Sequence, residues 1–255
     1  MTDALTPAER ILYGLGIRHP CEIDLEAIAA SRGAFVKYQP LDNCEAMIAG
    51  SSKRAVILVN SNSCETRQRF SLAHELGHWH HHRGKVLYCS SDEVEETKPG
   101  PLNPERQADG FASDLVLPTY MFRPIFAKLK RFRIQEAAEI AAEFNVSLTA
   151  TLIKCVELNR LPIILACYRR SGYSWSRPAK MVPSWWRLHR TLDRETFAGR
   201  MLFDGASPEA WPRKMPADAW FDFRGAGDYE VQEQSVMLPG AEVLTILTIP
   251  ENGLG

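Results

Sequence analysis

The 255-residue sequence contains no apolar run approaching the ~20 residues that a membrane span requires, and so no membrane partner is expected. Its first residues, Met1-Thr2-Asp3-Ala4, carry no basic segment followed by an apolar core, so no secretory signal is expected either. Excess charge of one sign is also missing. The formal net charge of −1 gives no global attraction to nucleic acid or to an anionic membrane. Six cysteines (Cys21, Cys44, Cys64, Cys89, Cys155 and Cys167) are scattered without a single C-x-x-C pair. That spacing excludes a zinc knuckle and reads as reduced thiols in a cytoplasmic protein rather than a disulfide frame. What remains is an ordinary globular composition, 45% hydrophobic and 24% charged, enough for one large domain or two small ones.

Against that plain background one stretch stands out, Phe70-Ser71-Leu72-Ala73-His74-Glu75-Leu76-Gly77-His78. On a helix, residues four apart share a face, so His74 and His78 can aim two imidazoles at one point. Glu75 is rotated by about 100° and can reach a water held there. Two histidines and a carboxylate in this spacing are the geometry of a zinc hydrolase, with His74 and His78 as ligands and Glu75 as general base. Phe70, Leu72, Ala73 and Leu76 predict that the helix is buried. Gly77 costs about 1 kcal/mol inside a helix; a close backbone approach would account for it.

Upstream, Thr6, Pro7 and Glu9 predict a capped helix over residues 5–17, and Asp24 caps a short second one. Three strands are expected at 34–38, 46–49 and 54–59. Asn62 is the expected cap of the active-site helix, which should run to about His82. Of the histidines that follow the motif, His81 lies three residues past His78 and so could face the site; His80 to His82 otherwise read as a helix end. Residues 91–103 read as a polar loop. Asn103-Pro104-Glu105 then starts a helix that ends at Pro118. Glu105 and Asp109 share a face of it. Glu105 is assigned as the third zinc ligand, and Asp109 as the acceptor that holds the far nitrogen of a ligand histidine; the competing assignment makes Asp109 the ligand. Gly110 is a second glycine expected at a close helix contact. Tyr88, Tyr120 and the histidines after His78 are candidates for a further oxyanion donor.

The run Arg69-Phe70-Ser71-Leu72-Ala73-His74-Glu75-Leu76-Gly77-His78, followed by Glu105-x-x-Ala108-Asp109-x-Phe111-Ala112-x-x-Leu115-x-Leu117-Pro118, resembles the ImmA/IrrE family of zinc metallopeptidases. The resemblance covers roughly residues 8–160, with Val59-Asn60 at the end of the upstream sheet matching as well. Family members often carry Asn where Asp109 stands, and both residues accept a hydrogen bond. The resemblance implies Zn2+ as cofactor and a regulatory endopeptidase that cuts a helix-turn-helix transcriptional repressor, so switching on stress or mobile-element genes.

After Pro118, Pro124 is expected to interrupt an apolar-periodic segment, and a basic run spans residues 128–133. Helices at 134–144 and 148–158, joined at Asn145-Val146-Ser147, resemble a helix-turn-helix. Direct DNA binding is possible there, with the basic run on phosphates, but the second helix offers few side chains able to read bases, Thr149, Thr151, Lys154 and Asn159 being the sparse candidates, so a supporting helical subdomain is preferred. From Pro162 the chain turns β-rich, with strands at 163–168, 229–238 and 242–249, the last two joined at Pro239-Gly240. The expected architecture is α+β: a zincin-like metallopeptidase domain over 1–160 that includes the helix-turn-helix-like segment 132–159, then a β-rich, sensor-like unit over 161–255. The alternative function is a DNA-binding or partner-binding regulator with a non-catalytic zinc site.

Overall fold

The computed structural model describes residues 5–83, 103–129 and 132–254. Contacts divide them into two compact units, one of residues 1–127 with 141–147, the other of 128–140 with 148–255.

In the first unit, Thr6 accepts the Glu9 amide and Glu9 accepts the Thr6 amide, the reciprocal cap that starts α1 (Pro7–Gly14). Asp24 caps α2 (Leu25–Ser31) through the Ala27 amide. Strands β1 (Ala34–Gln39), β2 (Ala46–Gly50) and β3 (Ala55–Asn60) form a sheet in the order β1-β3-β2. β1 runs parallel to β3, and β2 antiparallel to it. The alternation of β3 buries Ala55, Ile57 and Val59 on one face. Where β3 ends, the Asn60 side chain ties down the preceding loop, donating to the carbonyls of Leu41 and Cys44. The chain then enters α3 (Glu65–His81), which packs on β2, β3 and α4 (Pro104–Val116). Cys64, not Asn62, is the N-cap of α3; Asn62 is drawn into the turn, where its amide donates to the Asn60 side chain. α4 starts with Asn103 accepting the Glu105 amide and with Pro104 at its first position. Pro124 does not interrupt α5 (Thr119–Lys128) but sits inside it.

α6 (Ile134–Phe144) spans the division between the units. In the second unit, α7 (Leu148–Glu157) packs on β4 (Ile163–Arg169) and β5 (Gly172–Pro178). α8 (Phe197–Asp204) covers β7 (Glu230–Leu238) and β8 (Glu242–Thr248), and the short β6 (Arg213–Pro216) pairs with β7. All neighbours in this sheet, ordered β5-β4-β8-β7-β6, are antiparallel. Its core gathers Tyr168, Trp186, Trp220 and Phe221 with Leu152 and Val156 of α7. The fold is therefore α+β, and among the described residues no helix is long and apolar enough to cross a membrane.

Candidate metal centre

α3 and α4 touch where α3 has no side chain. A Cβ on Gly77 would lie 2.8 Å from the Cα and 3.0 Å from the carbonyl oxygen of Ala108. The glycine thus lets two helix backbones approach closely, as the sequence predicted. Gly110 does not repeat the device: nothing lies within 4 Å of its would-be Cβ. Its place on the exposed side of α4 removes the need for a small residue.

The close approach brings Glu105 and Asp109 of α4 against His74 and His78 of α3. His74 Nε2 and His78 Nε2 are 3.0 Å apart. His74 Nε2 lies 3.2 Å from one carboxylate oxygen of Glu105, and His78 Nε2 lies 3.3 Å from the other. The structure thus gathers His74, His78 and Glu105 into one group able to hold a metal ion. Tetrahedral coordination at about 2.0–2.2 Å places donors roughly 3.3–3.5 Å apart, so the group fits such an ion with shifts of a few tenths of an ångström. Asp109 accepts from His74 Nδ1 at 2.9 Å. That bond fixes the tautomer and leaves the Nε2 lone pair directed at the group. His78 has no such support, because its buried Nδ1 lacks a hydrogen-bond partner.

The electrostatics follow from burial and from these carboxylates. Burial pulls the His74 pKa down, but the Asp109 hydrogen bond and the charges of Glu75, Asp109 and Glu105 outweigh it, and the net shift is upward. For His78, burial wins over the attraction of Glu105 and the pKa falls. Glu75 is buried, and one of its oxygens has no hydrogen-bond partner. Burial pushes its pKa up to about 7, with His74 opposing and Glu105 reinforcing the shift. An unpartnered buried carboxylate oxygen costs about 1–3 kcal/mol or more, which marks a group held ready for another purpose. A cation at the neighbouring donors would favour its ionised form.

Several other candidates lie elsewhere. The Tyr120 hydroxyl donates to the Ile17 carbonyl at 2.8 Å and is committed there. His80 accepts from Arg32 and stacks on Phe111. His82, not His81, places its ring beside His78, with 5.8 Å between centroids; the ring of His81 lies beside those of His80 and Phe111. His82 follows His78 by four residues, the spacing that also pairs His74 with His78, so its ring continues the same stripe. Tyr88, Cys89 and most of the loop over 91–103 lie outside the described residues. Sequence reasoning missed Cys44, just before β2. Burial and then the Glu75 charge raise its pKa, which puts this residue in the electrostatic reach of the site. No local sequence signal marks it. In the helix-turn-helix-like segment, Thr151 and Lys154 are buried, and the Asn159 side chain accepts the Met181 amide.

A family model described as the IrrE N-terminal-like domain, Peptidase_M78, matches residues 24–155. Among solved structures, a Mycobacterium tuberculosis transcriptional regulator is similar, with a TM-score of 0.62 at 15% identity. The match covers 99% of this chain and 90% of that one, a likeness of fold. No curated protein is significantly similar in sequence.

Proposed function

The chain belongs to the Peptidase_M78 family of IrrE N-terminal-like domains, and from that premise we propose that it is a zinc-dependent endopeptidase. One observation carries the reading: His74, His78 and Glu105 converge beside the buried Glu75 carboxylate, one oxygen of which has no hydrogen-bond partner. A metal with a purely structural role has no use for such a carboxylate. His74, His78 and Glu105 would hold the ion, and Asp109 would keep His74 in the correct tautomer. When bound, zinc supplies positive charge that polarises a peptide carbonyl and acidifies water. Glu75 takes the proton from the attacking water onto its carboxylate and hands it to the leaving amine.

The substrate we infer is a protein, namely a helix-turn-helix repressor whose cleavage changes gene expression. The family resemblance supports this, and the named function of the mycobacterial regulator is compatible with it. Site, cofactor and a domain arrangement of a peptidase over 1–160 followed by a sensor-like unit over 161–255 belong to the same proposal. The rival reading, DNA binding through residues 128–159, is weakened by the burial of Thr151 and Lys154.

The test is cleavage of the repressor encoded beside this protein, with and without zinc, read by mass spectrometry. A single cut is expected, lost in Glu75→Gln while zinc stays bound. Cleavage retained in Glu75→Gln would remove Glu75 from the base role. A zinc-loaded protein that leaves the repressor whole would count against that substrate.

A further inference from the structure

A groove of about 590 Å³ lies in the first unit, away from the metal centre, lined by α1, the end of α2 and the end of α3. Its polar wall is Arg10, Arg32 and His80, and its apolar rim is Pro7, Ile11 and Leu15. Arg83 stands behind this wall, over the Trp79 ring, and donates to the Arg32 carbonyl.

The charges here are unopposed. Arg10 donates to the Leu5 carbonyl, and Arg32 donates to Nδ1 of His80 at 3.3 Å. Among the described residues, no carboxylate pairs with Arg10, Arg32 or Arg83. The nearest acid in sequence, Glu9, is committed to the amides of Thr6 and Thr119. The C-terminal ends of α2 and α3 offset these charges by only about half a unit each, leaving about two positive charges. Arg32 Nε is buried without a partner. Because a guanidinium only donates, His80 Nδ1 must accept, and its Nε2–H remains as a donor. Leu15, 51% exposed, extends the groove with apolar surface.

We propose that this groove binds a small amphipathic anion, an aliphatic phosphate monoester or carboxylate. The head group sits on Arg10, Arg32 and the His80 Nε2–H, and the chain lies along Pro7, Ile11 and Leu15. A head group of this kind matches planar guanidinium donors, and the volume is that of a small-ligand site. The site lies outside the peptidase reading and does not depend on it.

The test is a titration of the whole protein with octyl phosphate below its critical micelle concentration, followed by amide NMR. Saturable shifts at Arg10, Leu15, Arg32 and His80 are expected, weakening as salt is added. Inorganic phosphate should bind about tenfold more weakly or worse, for want of the chain. Arg10→Glu, at an exposed position, should keep the melting temperature and lose about tenfold or more in affinity. Leu15→Ser should narrow the gap between octyl and inorganic phosphate. The proposal is overturned by absent or non-saturable shifts, by unchanged affinity in Arg10→Glu, or by equal binding of the two phosphates. Binding to phosphatidylglycerol vesicles with none to monomeric octyl phosphate would also overturn it, in favour of a membrane surface.

Discussion

Gly77→Ala tests whether helix spacing sets the metal centre. The new methyl would meet Ala108 Cα at 2.8 Å and its carbonyl oxygen at 3.0 Å, both backbone atoms that cannot rotate away. Ordinary carbon contact needs 3.5–4.0 Å, so α4 must retreat by roughly 0.7 Å or more. Glu105 precedes Ala108 by less than one turn and Asp109 follows it directly, so both carboxylates move with it. The 2.9 Å bond from His74 to Asp109 would stretch past hydrogen-bond length. Losing such an outer partner costs about 10–100-fold in metal affinity. Stability is a contest of two terms. Alanine gains about 1 kcal/mol of helix propensity over glycine, and overpacking costs about 1–3 kcal/mol, so a net loss of up to about 2 kcal/mol is expected. Gly110→Ala is the control, because its methyl meets nothing within 4 Å. It should stabilise by about 0.5–1 kcal/mol and leave zinc affinity alone. Zinc affinity by competition with a chelator, and urea unfolding of the metal-free protein, read the two effects separately. If Gly77→Ala binds zinc like the wild type and is as stable as Gly110→Ala, the spacing argument is wrong.

The two acids of α4 should separate by degree. Glu105→Ala removes a donor of the metal group and should reduce zinc occupancy outright, whereas Asp109→Ala should weaken binding by about 10–100-fold and Asp109→Asn by less; the reverse order in a chelator competition would make Asp109 the ligand. In the second unit, burial raises the Glu233 carboxyl above its ordinary 4.5, even though Trp220, the Ala198 and Phe197 amides and Ser235 all donate to it. A raised carboxyl contributes its stability while protonated, fully below the unfolded value, and loses it as pH rises through the folded value. The wild-type advantage in melting temperature over Glu233→Gln should therefore shrink as pH rises from about 4.5. An advantage that grows with pH would show that the donors prevail over burial.

The candidate metal centre was legible because its signals are local. His74 and His78 follow helical spacing, Glu105 and Asp109 repeat it, and Pro104 with Asn103 announces the helix that carries them. Gly77 announced a close neighbour, but not that the neighbour is Ala108, thirty-one residues on. Gly110 sent the same signal for no such reason, since a single glycine on an exposed helix face is compatible with open solvent. Tyr120 was indistinguishable from an oxyanion donor until the fold placed Ile17 against its hydroxyl.

The second unit was harder to read because its devices are long-range. The antiparallel pair β7 and β8 showed itself through continuous β-rich segments and Pro239-Gly240. β5 did not, although large and small side chains alternate along it from Tyr173 to Arg177. α8 did leave a readable mark, Thr196 as its cap and Gly205 in the left-handed conformation as its stop. Its anchor left none. Glu233 comes from the middle of β7 to accept the Ala198 amide in the first turn of α8 and the Trp220 indole. An acid between Gln232 and Gln234 reads as a solvent-facing strand residue, and only the folded chain shows why it is 0% exposed. The same holds for the candidate site: residue types and spacing disclose which chemistry is available, whereas burial and partners determine whether a carboxylate is Glu75, with one oxygen unpartnered, or Glu233, fully engaged.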